Sequence, residues 1–415
     1  MAEDLGWEIR LYQNTPPSPQ WVQQDILSEY KGFNFVKVVN QTGSGSITFD
    51  IKNLNTTNQA LLNRDVFFAF CKPAKYGEDT APIRGTDICF GILPENITHS
   101  ILGPNNHEVK ISGPGLGELL NRSVVLPAGY SVTSTGPDQR ELVANRPLDV
   151  WADMMAEADV RQSSSILVPP FSGFGGIKIT DSSGLGWDPA TIMNINFVFK
   201  AGIGLLDLLK WAHSFGGFDF MVDLTQRNPV QAYTYAYQGL RADVTGKVGL
   251  HLGRHVLSAD RVTSREQTMS NLYGALSRGL TRPSVFNGAA QLQYGKREFY
   301  WTEATEYFDP EAQQVATKLA NARMFANNTT TLQIAPNLDF KAFIDYDVFD
   351  QITYDNLELG IRGSYIVKGI AVDVQGQDER QEILLETPME SFQRRVYSEL
   401  NRDQQIFKFN TRSMQ

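Results

Sequence analysis

The chain has 415 residues, 42% of them hydrophobic and 20% charged, with a formal net charge of −9. That length holds about two to four domains, so a large core is affordable without disulfides or metals. The acidic balance and the lack of any Lys/Arg run exclude an electrostatic footprint on nucleic acid, and no stretch approaches the ~18 apolar residues of a membrane span.

The opening MAEDLGWEIR has neither a cationic region nor an apolar core, so the chain is expected to fold in cytoplasm and stay soluble. The two cysteines, Cys71 and Cys89, each sit in an apolar run that reads as a strand, where buried free thiols are expected.

From Leu5 to Val125 the pattern predicts strand after strand. SITFDI alternates Ile47, Phe49 and Ile51 with polar residues, the period of a sheet with one wet face. DVFFAFC and DICFGIL are continuously apolar, as in strands covered on both sides, so a barrel or sandwich is expected. EVKISGPGLGELLNRSVVLP then takes a strand through glycines into a short helix carrying Leu116, Leu119 and Leu120. PLDVWADMMAEADV predicts a helix with Leu148, Trp151, Met155 and Ala158 on one side and Asp149, Asp153 and Glu157 on the other. Residues 162–191, dense in Ser, Gly and Pro, read as a long loop or a boundary.

A second folded unit starts with the strand NINFVFK and the helix GIGLLDLLKWAHSFGG, which its paired glycines stop. FDFMVDL, PVQAYTYAY, SNLYGAL and REFYWTE are strand candidates. Asp309 and Pro310 open a helix whose stripe is Ala312, Val315, Leu319 and Ala322. TTTLQIA, DVFDQITY and YIVKGIAVDVQ return to strands, and TPME caps a last helix with Met389, Phe392, Val396 and Leu400 on one side.

The expected fold class is mainly β with α+β elements, multidomain, with two β-barrel-like domains flanking a mixed α/β middle. The divisions fall at 1–126 for the N-terminal β-barrel-like domain and 127–192 for a helix plus connecting region. They continue at 193–328 for the mixed middle, 329–387 for the C-terminal β-barrel-like domain and 388–415 for a terminal helix and tail. No repeat with a period of ~20–50 residues is visible.

No constellation assigns a catalytic, cofactor-binding or metal residue. In SGPGLGELL, Gly113 and Gly115 fit the start of a dinucleotide fingerprint, but Glu118 takes the place of its last glycine, so a tight turn is the better reading. His251 and His255 are four apart in a segment broken by Gly249 and Gly253, with no further ligand nearby, which speaks against zinc. Asp345, Asp347 and Asp350 lack the glycine and terminal Glu of a calcium loop and read as the wet face of a strand. Neither H-E-x-x-H nor G-x-S-x-G occurs, and cysteines in apolar runs are inert. The sequons at Asn55, Asn96 and Asn121 are chance matches. Phe33, Phe35, Phe67, Phe68, Phe70, Tyr233, Tyr235 and Tyr237, at strand spacing, suit packing better than a sugar platform.

Three stretches together resemble one family. They are FVKVVNQTGSGSITFDIKN with LLNRDVFFAFC, the run from Cys89 to Pro127 with its Leu-x-x-Arg at Leu119 and Arg122, and GKREFYW through DYDVFDQITY to GIAVDVQ. They look like the Gp37-like minor tail proteins of siphophages that infect actinobacteria, similar in turn to the baseplate-hub proteins of contractile phages. Phe349 stands where that family often has glycine before Asp350.

The resemblance implies a non-enzymatic structural subunit without cofactors: a homotrimeric ring at the tip of the tail tube, assembled in host cytoplasm and carried in the virion. Its partners would be other copies of itself, the distal tail protein, tail tube, tape-measure protein and receptor-binding tail proteins, with a central passage for DNA. An acidic lining would keep DNA from sticking there. Because the sequence ends soon after the second barrel-like region, lytic or fibre extensions are not expected. Two alternatives stand beside this reading, a tail-associated cell-wall hydrolase or glycan-binding adhesin and a hexameric distal tail protein.

Overall fold

The computed structural model describes residues 6–14, 21–27, 29–54, 56–62, 64–73, 87–103, 106–127, 139–145, 147–163, 174–180, 195–216, 218–224, 232–237, 241–264, 268–274, 282–301, 313, 316, 317, 320, 327–335, 339–356, 358, 361–376 and 378–386. The N-terminal part comprises β1 (Glu8–Asn14), β2 (Trp21–Leu27), β3 (Tyr30–Val38), β4 (Ser44–Asp50), α1 (Thr56–Leu61), β5 (Val66–Cys71), β6 (Ile88–Ile92), β7 (Asn96–Gly103) and β8 (Asn106–Pro114). A 3-10 helix, Leu116–Arg122, follows. The middle comprises β9 (Gln139–Asn145), α2 (Pro147–Ser163), β10 (Phe174–Thr180), β11 (Ile195–Lys200), α3 (Leu205–Gly216), β12 (Asp219–Leu224) and β13 (Ala232–Tyr237). Then come β14 (Ala242–Asp243), β15 (Gly249–His251), β16 (Val256–Ser264), β17 (Asn271–Gly274), β18 (Ser284–Phe286), α4 (Gly288–Tyr294) and β19 (Glu298–Trp301). The chain closes on β20 (Asn327–Ile334), β21 (Asp350–Asn356), β22 (Ile361–Gln375) and β23 (Asp378–Glu386).

The architecture is mainly β with α+β elements. An eleven-stranded sheet runs β16-β20-β23-β22-β3-β4-β8-β7, with β14, β15 and β21 attached beside β22. N-terminal and C-terminal strands thus share one sheet, joined where β3 pairs with β22 from Gly32↔Gln375 to Val38↔Gly369. A second sheet, β2-β1-β5-β6, covers its aromatic face: Phe70 packs 5.1 Å from Phe33 and 4.8 Å from Phe35, and Trp7 meets Phe33 at 5.4 Å, ring centre to ring centre. β5 is buried along its whole length, as its unbroken apolar run requires. Its other face, with Phe67 and Cys71, packs with Leu116 and Leu119 of the 3-10 helix.

The middle has its own core. Val150, Trp151, Met154, Met155 and Ala158 of α2 pack on Leu205, Leu208, Leu209 and Ala212 of α3, the faces their three-and-four spacing dictates. Leu272 of β17 joins them, as do Ala316 and Ala320. These two, with Gln313 and Thr317, are the described residues of the helix expected after Asp309, while its stripe at Ala312, Val315, Leu319 and Ala322 lies outside the described residues, as does the whole expected helix beyond Thr387.

The large sheet contains a repeat that has no counterpart in sequence. In chain order, β3-β4-β7-β8 and β16-β20-β22-β23 pair identically: first on second, second on fourth, fourth on third, all antiparallel. In both sets the third and fourth strands are joined by two residues, 104–105 and 376–377. The sets meet where β3, the first strand of one, lies against β22, the third strand of the other.

Candidate functional site

Among the described residues the repeat leaves two strands with a single sheet neighbour, and both are sheet edges. They are β7, the third strand of the first set, and β16, the first strand of the second. On β7, Ile101 is 75% exposed; on β16, Leu257 and Val262 are 60% and 62% exposed. β16 carries Asp260 and Arg261, whereas β7 has no Asp, Glu, Lys, Arg or Pro over its eight residues. An edge of that length without Asp, Glu, Lys, Arg or proline is a template for another strand.

Beneath the junction of the sets lies a buried ionic network. Lys37 follows Phe33 and Phe35 on the core face of β3 and is 3% exposed; its Nζ lies 3.0 Å from Asp223 Oδ2 and 3.2 Å from Asp347 Oδ2. Lys368 of β22 reaches Asp219 Oδ2 at 3.2 Å. Asp219 Oδ1 also accepts from Asn40 Nδ2 at 2.7 Å and lies 3.8 Å from His213 Nδ1, which donates to the Phe218 carbonyl. Asn40, held at φ 61° in the β3–β4 turn, is locked there because it donates to the Phe220 carbonyl and accepts the Phe220 N–H. β12 therefore bolts the middle to both sets. Removing one member of such a buried pair costs about 3–5 kcal/mol.

Arg241 grips Asp350 with two nitrogens, Nε at 2.9 Å from Oδ1. Burial pushes the Asp350 carboxyl up to about 6, while Arg241 pulls it back down.

The glycines of SGPGLG serve close packing. A Cβ on Gly113 would stand 1.8 Å from the Leu93 carbonyl oxygen, and one on Gly115 would stand 1.9 Å from that of Thr42. Leu119 is buried and Arg122 pairs with Asp65 at 2.7 Å. That pair lines a cavity of about 210 Å³ with Arg64, Glu95, Glu118 and Asn121.

No family model matches the sequence, and no curated protein matches it. Solved structures do. A tail protein from Neisseria meningitidis aligns at TM-score 0.54 and 9% identity, covering 92% of this chain and 96% of that one. The 43 kDa tail protein of prophage MuSo2 from Shewanella oneidensis aligns at 0.55 and 10%, covering 92% and 97%. This chain shares its fold with phage tail proteins.

Within that shared fold the residues singled out by sequence fall as follows. His251 ends β15 and His255 lies beyond a turn; their rings are 5.7 Å apart, and His255 Nε2 lies 3.6 Å from Asp339, which Arg254 binds. Among the described residues, no group of three or more His, Cys, Asp and Glu could hold a metal ion. The reading of Asp345, Asp347 and Asp350 as a wet strand face is overturned: Asp347, just ahead of β21, and Asp350, its first residue, are both fully buried. Asp345 accepts the Lys341 N–H.

Cys71 and Cys89 are buried, with their thiols against the Ala69 and Asp87 carbonyls. Phe33, Phe35, Phe67, Phe68 and Phe70 are core residues, and Tyr235 packs partly buried against the same core. Tyr233 and Tyr237 lie on β13, where their side chains fall outside the described residues. Asn96 opens β7 and Asn121 lies in the 3-10 helix, while Asn55 lies outside the described residues. Sequence reading passed over Lys37, Lys368, Asp219, Asp223 and Arg241. The signal was present at Lys37, a lysine in register with Phe33 and Phe35 on an apolar face.

Proposed function

We propose that the chain is a structural subunit of a phage tail hub, a minor tail protein without catalytic function that forms a homotrimeric ring at the distal end of the tail tube. The carrying observation is the repeat: β3 against β22 inside one chain is a template for β16 of one copy against β7 of the next. Such a head-to-tail contact is heterologous, and it closes into a ring when its rotation divides a full turn.

Three copies supply six four-strand sets. At ~4.8 Å per strand they close a bore roughly 35 Å across, against roughly 25 Å for two copies, before side chains and strand tilt are counted. The wider bore keeps a passage for a DNA duplex once side chains line it. The tail-protein fold and the resemblance to Gp37-like proteins support placing the ring in the virion, after assembly in host cytoplasm. There it would contact the distal tail protein, tail tube and tape-measure protein on one side and receptor-binding proteins on the other. A hexameric distal tail protein would double the number of sets, so subunit count separates the two.

Native mass spectrometry of the purified chain, alone and with Thr98→Lys plus Ile101→Lys on the exposed edge β7, tests the reading. Three-copy assemblies that fall to monomers in the variant, with an unchanged melting temperature, are expected. Rings indifferent to the edge substitutions, or a wild-type chain that stays monomeric, overturn it.

A further inference from the structure

A lysine amine and an aspartate carboxyl condense spontaneously when they are held in contact, kept dry, flanked by a second carboxylate to move the proton, and offered a donor for the developing oxyanion. All four conditions meet at Lys37. Asp347, 310 residues away in sequence and fully buried, presents Oδ2 to Lys37 Nζ at 3.2 Å. Asp223 Oδ2 lies 3.0 Å from the same nitrogen. The Val348 N–H donates to Asp347 Oδ1 at 2.7 Å. The Phe343 ring closes the site, its centre 5.9 Å from Nζ, and the adjoining Tyr346 is fully buried.

The loop that carries Asp347 is held rigidly. Phe343 and Phe349 sit at φ 68° and 76°, in the left-handed region that residues with a side chain disfavour. The Phe349 N–H donates to the Val367 carbonyl at 2.8 Å, and the Asp347 N–H donates to Asp350 at 2.8 Å. Lys37 sits in the middle of a sheet, so neither reactant swings away.

We infer that Lys37 and Asp347 form an intramolecular amide bond. The Lys37 ammonium passes one proton to Asp347 Oδ2, leaving a neutral amine facing a carboxylic acid. The amine lone pair attacks Cγ, and the charge gathers on Oδ1 against the Val348 N–H. Asp223 takes a proton from the nitrogen and returns it to the departing hydroxyl, which leaves as water. One ammonium and one carboxylate become one amide and one water, with no oxidant or cofactor. Asp347 is the acyl partner because it is fully buried, which shields the product from hydrolysis; Asp223, 11% exposed, exchanges protons with solvent.

The bond replaces a buried ion pair, whose desolvation is costly, with a neutral amide. It closes a loop spanning most of the chain and ties β3 to the segment ahead of β21. It forms in the folded chain whatever that chain assembles with, so the hub reading and this one fail separately.

The test is the mass of the denatured full-length chain, compared with Lys37→Arg and Asp223→Asn, followed by a protease digest. The wild-type chain is expected one water lighter than its sequence, with a branched peptide joining residues 37 and 347. Both variants are expected at full sequence mass while melting cooperatively. Unmodified Lys37 and Asp347 peptides recovered in full yield from the folded wild type overturn the inference, as does a water loss mapped to Lys368 and Asp219.

Discussion

Replacing Gly113 by alanine puts the tight-turn reading of SGPGLG to a quantitative test. The added Cβ would meet the Leu93 carbonyl oxygen at 1.8 Å and its carbon at 2.9 Å, so backbone has to retreat by about 1.6 Å to restore ordinary contact. Two hydrogen bonds span that contact: the Leu93 N–H donates to the Pro114 carbonyl at 2.9 Å, and the Glu95 N–H donates to the Ser112 carbonyl at 3.1 Å. At about 1 kcal/mol each, plus displacement of the buried Leu93, the expected loss is about 2–4 kcal/mol. Urea unfolding followed by tryptophan fluorescence measures it. Gly103→Ala, where a Cβ meets nothing within 4 Å, is the control and should stay within about 0.5 kcal/mol. A Gly113→Ala change as mild as the control would refute the reasoning, and stabilisation of the wild type by a dinucleotide would revive the fingerprint reading.

Asp350 has a raised folded-state pKa of about 6, so its contribution to stability is full below pH ~4 and is lost as pH rises through 6. Relative to Asp350→Asn, the wild type should lose up to about 3 kcal/mol between pH 4 and pH 6.5 in urea titrations, and parallel pH profiles would contradict the shift. Burial pushes the Cys71 thiol well up, and Cys89 is equally enclosed. Neither should react with a thiol reagent at pH 8 until the chain unfolds; stoichiometric labelling of native protein would contradict that burial.

Much of the fold was legible because local patterns were clean. Continuous apolar runs gave β5 and β6, and three-and-four spacing gave α2 and α3. Strand partnership was not legible, because pairing β3 with β22 joins segments more than 300 residues apart and no local period encodes it. The repeat was hidden for a related reason: residues 265–326 stand between β16 and β20, where the first set has only a short turn.

The aspartates of DYDVFD misled because alternation was taken for one strand with a wet face, whereas the chain turns at Phe343 and Phe349, both at positive φ, and Asp347 and Asp350 are buried. The φ of 76° at Phe349 is one that glycine adopts without strain. Phe349 fills the position with a buried ring, and Lys368 Nζ lies 5.3 Å from its centre. The ionic network escaped notice because lysines read as solvated unless they fall in register with core residues, as Lys37 does.

The ring is the central claim, and a cryo-EM reconstruction of the assembled protein tests it most directly. The account predicts three chains around a bore lined by one continuous sheet, β16 of each copy hydrogen-bonded to β7 of the next. A ring in which β7 and β16 both face solvent would contradict it.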